Sequence, residues 1–298
     1  MIKNLNIAII GGDKRIVRVA HNLISLGVNT KIWGIDNTYI KDIACETSCE
    51  DAVKNADIIV LPTPPSGDDV RINCPLFSEE SGIKFHKLLE SIQPQAVILG
   101  GRISPRFRDM AIKQGFRVYD YFNREELLIK NAVPTAEGAI GVAIEKLPKT
   151  IFDAKIAVIG FGRIGEALAW RLKLLGADVT VYARKKAVVA KAQSMGLRGG
   201  LIEYIDDSSS LKELTEGYDV IYNTVPYWLI TEEIIKKMPS ETLLVELASA
   251  PGGFDIVAAQ KLGVNVIHAL SLPNKVAPES AGDIITESII NIISEEEF

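Results

Sequence analysis

Residues 154–186 of this 298-residue chain, AKIAVIGFGRIGEALAWRLKLLGADVTVYARKK, hold the spacing most directly tied to a chemistry. Gly160, Gly162 and Gly165 form G-x-G-x-x-G, with Phe161, Arg163 and Ile164 between them. In that pattern the first glycine permits a tight bend, and the second lets backbone approach a pyrophosphate with no Cβ in the way. The third lets the following helix pack close to the strand. The unpaired N–H groups and positive dipole end of that helix then favour a doubly charged pyrophosphate. Alone, the motif also describes an ordinary turn. Here it follows the β-branched run 155–159 and precedes Ile164, Leu168, Leu172 and Leu175 at near-helical spacing. A stop at Gly176 and an apolar run at 179–182 complete the strand, helix and strand that a dinucleotide site requires.

The second strand ends in Ala183, Arg184 and Lys185, where an NAD site usually offers a carboxylate to the ribose 2′-hydroxyl. A small residue followed by cations suits the extra phosphate of NADP instead. The alternative is a solvated basic start to the next helix.

Other polar groups collect where strands end. In an open α/β sheet, ligands gather beyond the carboxyl ends of the strands. Two such ends extend the nucleotide site: 223–226, with Thr224, Val225 and Pro226, should pass the cofactor ribose. Ala248 and Ser249 in 248–253 should approach the nicotinamide. The segment 271–275 should close the site. Near the N-terminus the ends are 11–13, 62–65 and 100–102. The first, IAIIGGDKR, is a degenerate nucleotide turn, because Lys14 and Arg15 stand where a phosphate approach wants glycine. The proline-rich stretch 62–75 reads as a lid or a surface connection.

The elements that must position these residues alternate along the whole chain. Strands are expected near 5–10, 31–34, 57–61, 96–99 and 117–120, and again near 155–159, 179–182, 201–204, 220–223, 243–246 and 264–268. Helical patterns lie between them, including 185–195 and 211–216. This is an α/β chain with two doubly wound, parallel-sheet, Rossmann-like domains. The expected boundaries are an N-terminal substrate-side domain at 1–130, an inter-domain helix at 131–150 and a dinucleotide domain at 151–277. The closing helix, from 278, carries an isoleucine stripe that should return to the first domain, so 278–298 completes it. The inter-domain helix is read from Asn131 to Leu147, with Pro134 in its first turn, so that Thr135 and Glu137 lie at its polar start. Capping explains that pair as well as catalysis does.

Composition bounds the function. A net charge of −5 and 47% apolar residues describe a globular chain with no basic field for nucleic acid or an anionic membrane. No apolar stretch is read as reaching the ~20 residues of a membrane helix, and no secretory leader is seen, so a cytoplasmic enzyme is expected. Cys45, Cys49 and Cys74 show no zinc spacing and read as reduced thiols, and no metal site is expected. With only three histidines, His21, His86 and His268, imidazole has little part in any mechanism.

Taken together, IAIIGGDKR, VILGGRIS, NAVPTAEGAI, IAVIGFGRIGEALA, YNTVP, ELASAPGGFD and LPNKVAPESAG resemble the dipicolinate synthase A-subunit family over essentially the whole chain. The family usually has Leu-Pro-Gly where this chain has Leu272, Pro273 and Asn274. Lys275 stands at a position that is commonly apolar. Asparagine tolerates a left-handed backbone, so the turn can survive. The resemblance implies oxidation of dihydrodipicolinate, drawn from a branch of the lysine pathway, to dipicolinate with hydride transfer to NADP. It also implies sporulation in the mother-cell cytoplasm and the flavoprotein-like B subunit of dipicolinate synthase as partner; a homo-oligomer is a separate expectation.

For such a dicarboxylate, Arg102 with Ser104 is the expected anchor, and Thr135 with the helix-start N–H groups should take the second carboxylate. Lys275 and Arg15 are further cations for the substrate, and Thr135, Glu137 and Ser104 are the polar groups nearest the expected chemistry. Two other functions compete. A 2-hydroxyacid or amino-acid dehydrogenase would need a histidine with a carboxylate partner, for which only His268 is placed. A non-catalytic NADP-sensing protein would need no catalytic group at all.

Overall fold

The computed structural model describes residues 2–40, 43–78, 82–202, 204–205, 208–209, 214–215 and 217–296. The chain divides into two compact units, Met1–Asn131 with Ala277–Phe298, and Ala132–Val276.

In the first unit strands and helices alternate in the order β1 (Asn6–Ile10), α1 (Lys14–Ser25), β2 (Asn29–Trp33), α2 (Cys49–Val53), β3 (Ile58–Val60), α3 (Phe85–Ser91), β4 (Val97–Gly100), α4 (Pro105–Lys113) and β5 (Arg117–Asp120). The strands form one sheet of order β2-β1-β3-β4-β5, with parallel pairing throughout. Both faces are covered, which is why β1 is apolar at successive positions. Ile7 and Ile9 enter one core and Ala8 and Ile10 the other. Then α5 (Glu125–Lys146) leads into the second unit.

The second unit continues with β6 (Lys155–Ile159), α6 (Arg163–Leu174), β7 (Asp178–Ala183), α7 (Lys186–Ser194), β8 (Arg198–Leu201), β9 (Tyr204–Ile205) and β10 (Ser208–Ser209). It ends with β11 (Val220–Asn223), α8 (Glu232–Ile235), β12 (Leu243–Glu246), α9 (Ile256–Lys261), β13 (Val266–His268) and α10 (Leu272–Val276). Its parallel sheet has the order β13-β12-β11-β6-β7-β8, while β9 and β10 pair separately and antiparallel. The expected helix at 211–216 falls largely outside the described residues.

Two expectations about the helix at the unit boundary are corrected. It begins at Glu125, so Pro134 lies inside it, and Thr135 and Glu137 are in its interior and not at its start. A proline there removes one helical hydrogen bond, in the stretch where the chain passes from one unit to the other. The 22-residue helix contains an 18-residue window of mean hydropathy 1.3, which by length and composition alone would be enough to cross a membrane. Its Ala136, Ala139 and Ala143 are completely buried in the second unit's core, and Tyr222 Oη donates to the Ala139 carbonyl at 3.1 Å. Core packing therefore accounts for its apolar character.

The last helix, α11 (Pro278–Glu295), returns to the first unit. Ile285, Ile289, Ile292 and Ile293 enter the core with Ile16, Val19, Ala20 and Leu23 of α1. Asp283 accepts from Arg18 Nε and Asn22 Nδ2, each at 2.7 Å. Gly282 sits at the closest approach, where a Cβ would stand 2.4 Å from Arg18 Cβ and 2.6 Å from the Arg15 carbonyl oxygen. Gly282→Ala should therefore force the two helices apart and cost about 1–3 kcal/mol. Urea denaturation of the variant should show a lowered midpoint.

Candidate functional site

The glycine turn after β6 is built as its spacing requires. Gly160 has φ +93°, and a Cβ on it would meet Thr224 Oγ1 at 2.4 Å. Thr224 lies just beyond β11, which pairs with β6, so this contact marks the point where strand order reverses. A Cβ on Gly165 would stand 2.2 Å from the Gly160 carbonyl oxygen, so only glycine lets α6 approach so closely. By contrast a Cβ on Gly162 would meet nothing within 4 Å. Gly162 is the N-cap of α6 and supplies no side-chain acceptor. The helix start thus carries no side-chain cap, and the space beside Gly162 is open to a pyrophosphate.

Beside the turn a cleft of about 260 Å³ is lined by Gly160, Phe161, Gly162, Tyr182, Ala183, Arg184, Lys185, Val188, Ile202, Val225 and Leu229. No carboxylate is among these residues. Its apolar walls suit a purine, and Arg184 and Lys185 are exposed at its edge. Of the expected cofactor residues, Arg163, Ile164 and Gly165 belong to α6, Pro226 is exposed after β11, and Ala248 is buried while Ser249 is exposed.

Two buried polar residues, Glu246, which the sequence reading gave no role, and Asn223, which opens the expected ribose segment, shape the next loop. Glu246, fully buried at the end of β12, accepts from Asn223 Nδ2 at 2.7 Å and from the N–H groups of Ala248 (3.0 Å), Gly253 (2.7 Å) and Phe254 (3.1 Å). Asn223, equally buried, also holds both backbone groups of Val225. Together they fix the loops that follow β11 and β12. The visible signal was a charged residue closing an apolar strand.

The corresponding turn of the first unit is closed. Asp13 caps α1 by accepting from the Arg15 N–H at 3.0 Å. A Cβ on Gly11 would meet the Asn73 carbonyl oxygen at 2.6 Å and Cys74 Sγ at 2.7 Å. The stretch 62–75 is thus packed over the turn and further tied by Asn73 Nδ2 to the Pro64 carbonyl at 2.9 Å, which does not fit a free lid. Burial pushes the Cys49 and Cys74 thiols up to about 12, so both stay protonated.

At the same strand ends the first unit brings two guanidinium groups into each other's field. Arg15, nearly buried, pairs with Asp13 at 2.7 Å and donates to the Thr63 carbonyl at 3.0 Å. Arg102 has a left-handed backbone, φ +56°, an uncommon state for a side-chain-bearing residue. Asp120 holds it there by accepting from the N–H groups of Arg102 (3.0 Å), Ile103 (2.7 Å) and Phe122 (2.8 Å). The Arg102 guanidinium lies 5.1 Å from the centre of the Phe122 ring and makes no ion pair with a described residue. Arg102 is exposed at the surface, and partial loss of solvent around its guanidinium, then repulsion from Arg15, lowers its pKa.

The remaining candidates are placed as follows. Ser104 is committed, accepting from the Phe107 N–H at 3.2 Å as cap of α4 and donating to Asp69 Oδ1 at 2.5 Å. Thr135 is buried inside α5, so no helix-start N–H groups accompany it. Glu137 is exposed, 3.5 Å from Arg171 of α6. Lys275 is exposed on α10, which forms a helix where a loop was expected. The left-handed residue is Ser271, and not Asn274. Arg15, Arg102 and Ser104 belong to the first unit and Thr135, Glu137 and Lys275 to the second. Among the described residues no His, Cys, Asp and Glu side chains group as a metal set.

Two Rossmann-like units, one with an open dinucleotide turn, define a nicotinamide-dependent dehydrogenase, an oxidoreductase. The comparisons agree with that class. Residues 135–252 match the D-isomer specific 2-hydroxyacid dehydrogenase NAD binding domain, and residues 6–122 match the N-terminal domain of the dipicolinate synthase A subunit. The chain is 30% identical to the dipicolinate synthase A subunit of Bacillus subtilis, over 99% of this chain and 98% of that one. Crystal structures of the dipicolinate synthase A subunit from Bacillus halodurans and from Bacillus subtilis superpose with TM-scores of 0.88 and 0.86. They share 28% and 29% identity with this chain, the first covering 99% of both chains and the second 98% of this chain and 97% of its own. The chain belongs to the dipicolinate synthase A-subunit family.

Gly162→Ala should separate cofactor binding from folding. Its Cβ meets nothing in the free protein, so stability should change by no more than about 1 kcal/mol. Binding of the nicotinamide dinucleotide, followed by protein fluorescence, should weaken by tenfold or more, about 1.4 kcal/mol.

Proposed function

We propose that the chain oxidises dihydrodipicolinate to dipicolinate, pyridine-2,6-dicarboxylate, with NADP as hydride acceptor. Loss of one hydride and one proton makes the ring aromatic, so the step runs downhill. Holding the ring in place then matters more than a strong base. The cofactor supplies the hydride-accepting nicotinamide. Gly160 to Gly165 and the start of α6 would hold its pyrophosphate, and Arg184 and Lys185 its 2′-phosphate.

Arg102 carries the substrate half of the reading. It is a guanidinium without an ion pair to a described residue, fixed at the ligand-collecting edge of the first unit by Asp120. A planar guanidinium matches a carboxylate in a two-pronged way. Thr135 and Lys275 are kept as carboxylate-binding candidates of the second unit, and Arg15 supports the field around Arg102 in the first. Ser104 and Glu137, both otherwise engaged, are left out of the chemistry. His268 is exposed at the end of β13 with no carboxylate pair among the described residues, which favours this reading over a histidine-based 2-hydroxyacid dehydrogenase. Assembly with the flavoprotein-like B subunit of dipicolinate synthase and with further copies of the chain, and a cytoplasmic role in dipicolinate biosynthesis during sporulation, complete the proposal.

The test is direct. The purified chain is mixed with dihydrodipicolinate generated in situ and NADP, and nicotinamide reduction is followed together with the ultraviolet absorbance of the pyridine product. The two signals should rise in a one-to-one ratio. Product formation without enzyme-dependent reduction of the cofactor would contradict the reading. For the cofactor itself, Arg184→Ala should weaken NADP by about 1.5–3 kcal/mol and leave NAD nearly unchanged in parallel titrations. Equal losses for both would remove the 2′-phosphate assignment.

A further inference from the structure

The first unit's sheet order reverses between β1 and β3, and a sheet of this kind takes its ligand in the crevice at that point. Thr63, just past β3, occupies it. Its carbonyl accepts from Arg15 Nη2 at 3.0 Å, and a Cβ on Gly101, the neighbour of Arg102, would stand 2.7 Å from its Oγ1. Thr63 is 8% exposed, and its Oγ1 is buried without a hydrogen-bond partner among the described residues. A hydroxyl in that state destabilises the fold, whereas valine would fill the same volume without the loss. Two neighbouring hydroxyls are already engaged, Ser104 in two hydrogen bonds and Tyr121 Oη as donor to the Leu61 carbonyl at 2.9 Å. Asp120 spends its oxygens on three backbone N–H groups, so it does not satisfy Thr63 either.

We propose that Thr63 is the hydroxyl donor of the carboxylate site that Arg102 anchors. Rotation about its Cα–Cβ bond to another staggered well turns the hydroxyl from its buried place toward the ligand. There it donates to one carboxylate oxygen while the guanidinium balances the charge. The missing partner of Oγ1 is thus the substrate, and the cost of the empty state is recovered on binding. This rests on the dicarboxylate reading given above and goes beyond it by naming a residue that sets affinity.

Calorimetric titration of pyridine-2,6-dicarboxylate into the full-length chain saturated with NADP tests it, using wild type, Thr63→Val and Thr63→Ser, with thermal melts of each. Thr63→Val should bind the dicarboxylate about tenfold more weakly or worse. Its melting temperature should be equal or higher and its NADP affinity unchanged. Thr63→Ser should recover most of the dicarboxylate affinity. If Thr63→Val binds as tightly as wild type, Thr63 is not the donor, although the dicarboxylate reading stands. A loss accompanied by a lower melting temperature and weaker NADP binding would mean a structural role and overturn the proposal. Absence of wild-type binding would overturn the dicarboxylate reading, and this proposal with it.

Discussion

The start of the helix after the first strand decides what each unit can hold. Every such helix presents unpaired N–H groups that need an acceptor. In the first unit the Asp13 carboxylate supplies it from within, and the loop carrying Asn73 and Cys74 closes the space above Gly11. In the second unit the N-cap is Gly162, which has no side chain to offer and faces open space. An anion from outside can take that place, and the glycine geometry around it suits a dinucleotide pyrophosphate. One α/β architecture thus yields one open nucleotide turn and one self-satisfied turn.

Buried carboxylates serve a second, related purpose at the far ends of the strands. Asp120 at the end of β5 and Glu246 at the end of β12 each gather backbone N–H groups from the loop that follows or lies beside them. A carboxylate removed from water is tolerated only when its oxygens are filled in this way. The gain is a loop with a set shape. Around Asp120 that shape includes the left-handed Arg102, whose side chain is then free of ion pairs with described residues. Around Glu246 it includes the glycine pair 252–253, where a Cβ on Gly253 would stand 2.4 Å from Asn223 Nδ2.

Much of this was legible in the sequence. The strands at 155–159, 220–223 and 243–246 follow from β-branched runs bounded by turns, and the glycine spacing marks the start of α6. The return of α11 was readable from its isoleucine stripe. Other features were hidden for physical reasons. Pro134 looks the same at the first position of a helix as it does inside one, so the true start at Glu125 was missed although Glu125 and Glu126 mark an acidic first turn. Ser104 before Pro105 was a readable cap signal that was given to chemistry instead. Thr63, Asp120 and Glu246 owe their importance to burial by residues far away in the chain, which local spacing does not encode.

The central claim is that the open start of α6, and not the closed start of α1, receives the cofactor. Hydrogen–deuterium exchange of the whole chain with and without NADP reads both at once. The account predicts slowed exchange at 160–165 and 183–188 with no change at 11–16. Protection at 11–16 in place of 160–165 would contradict it.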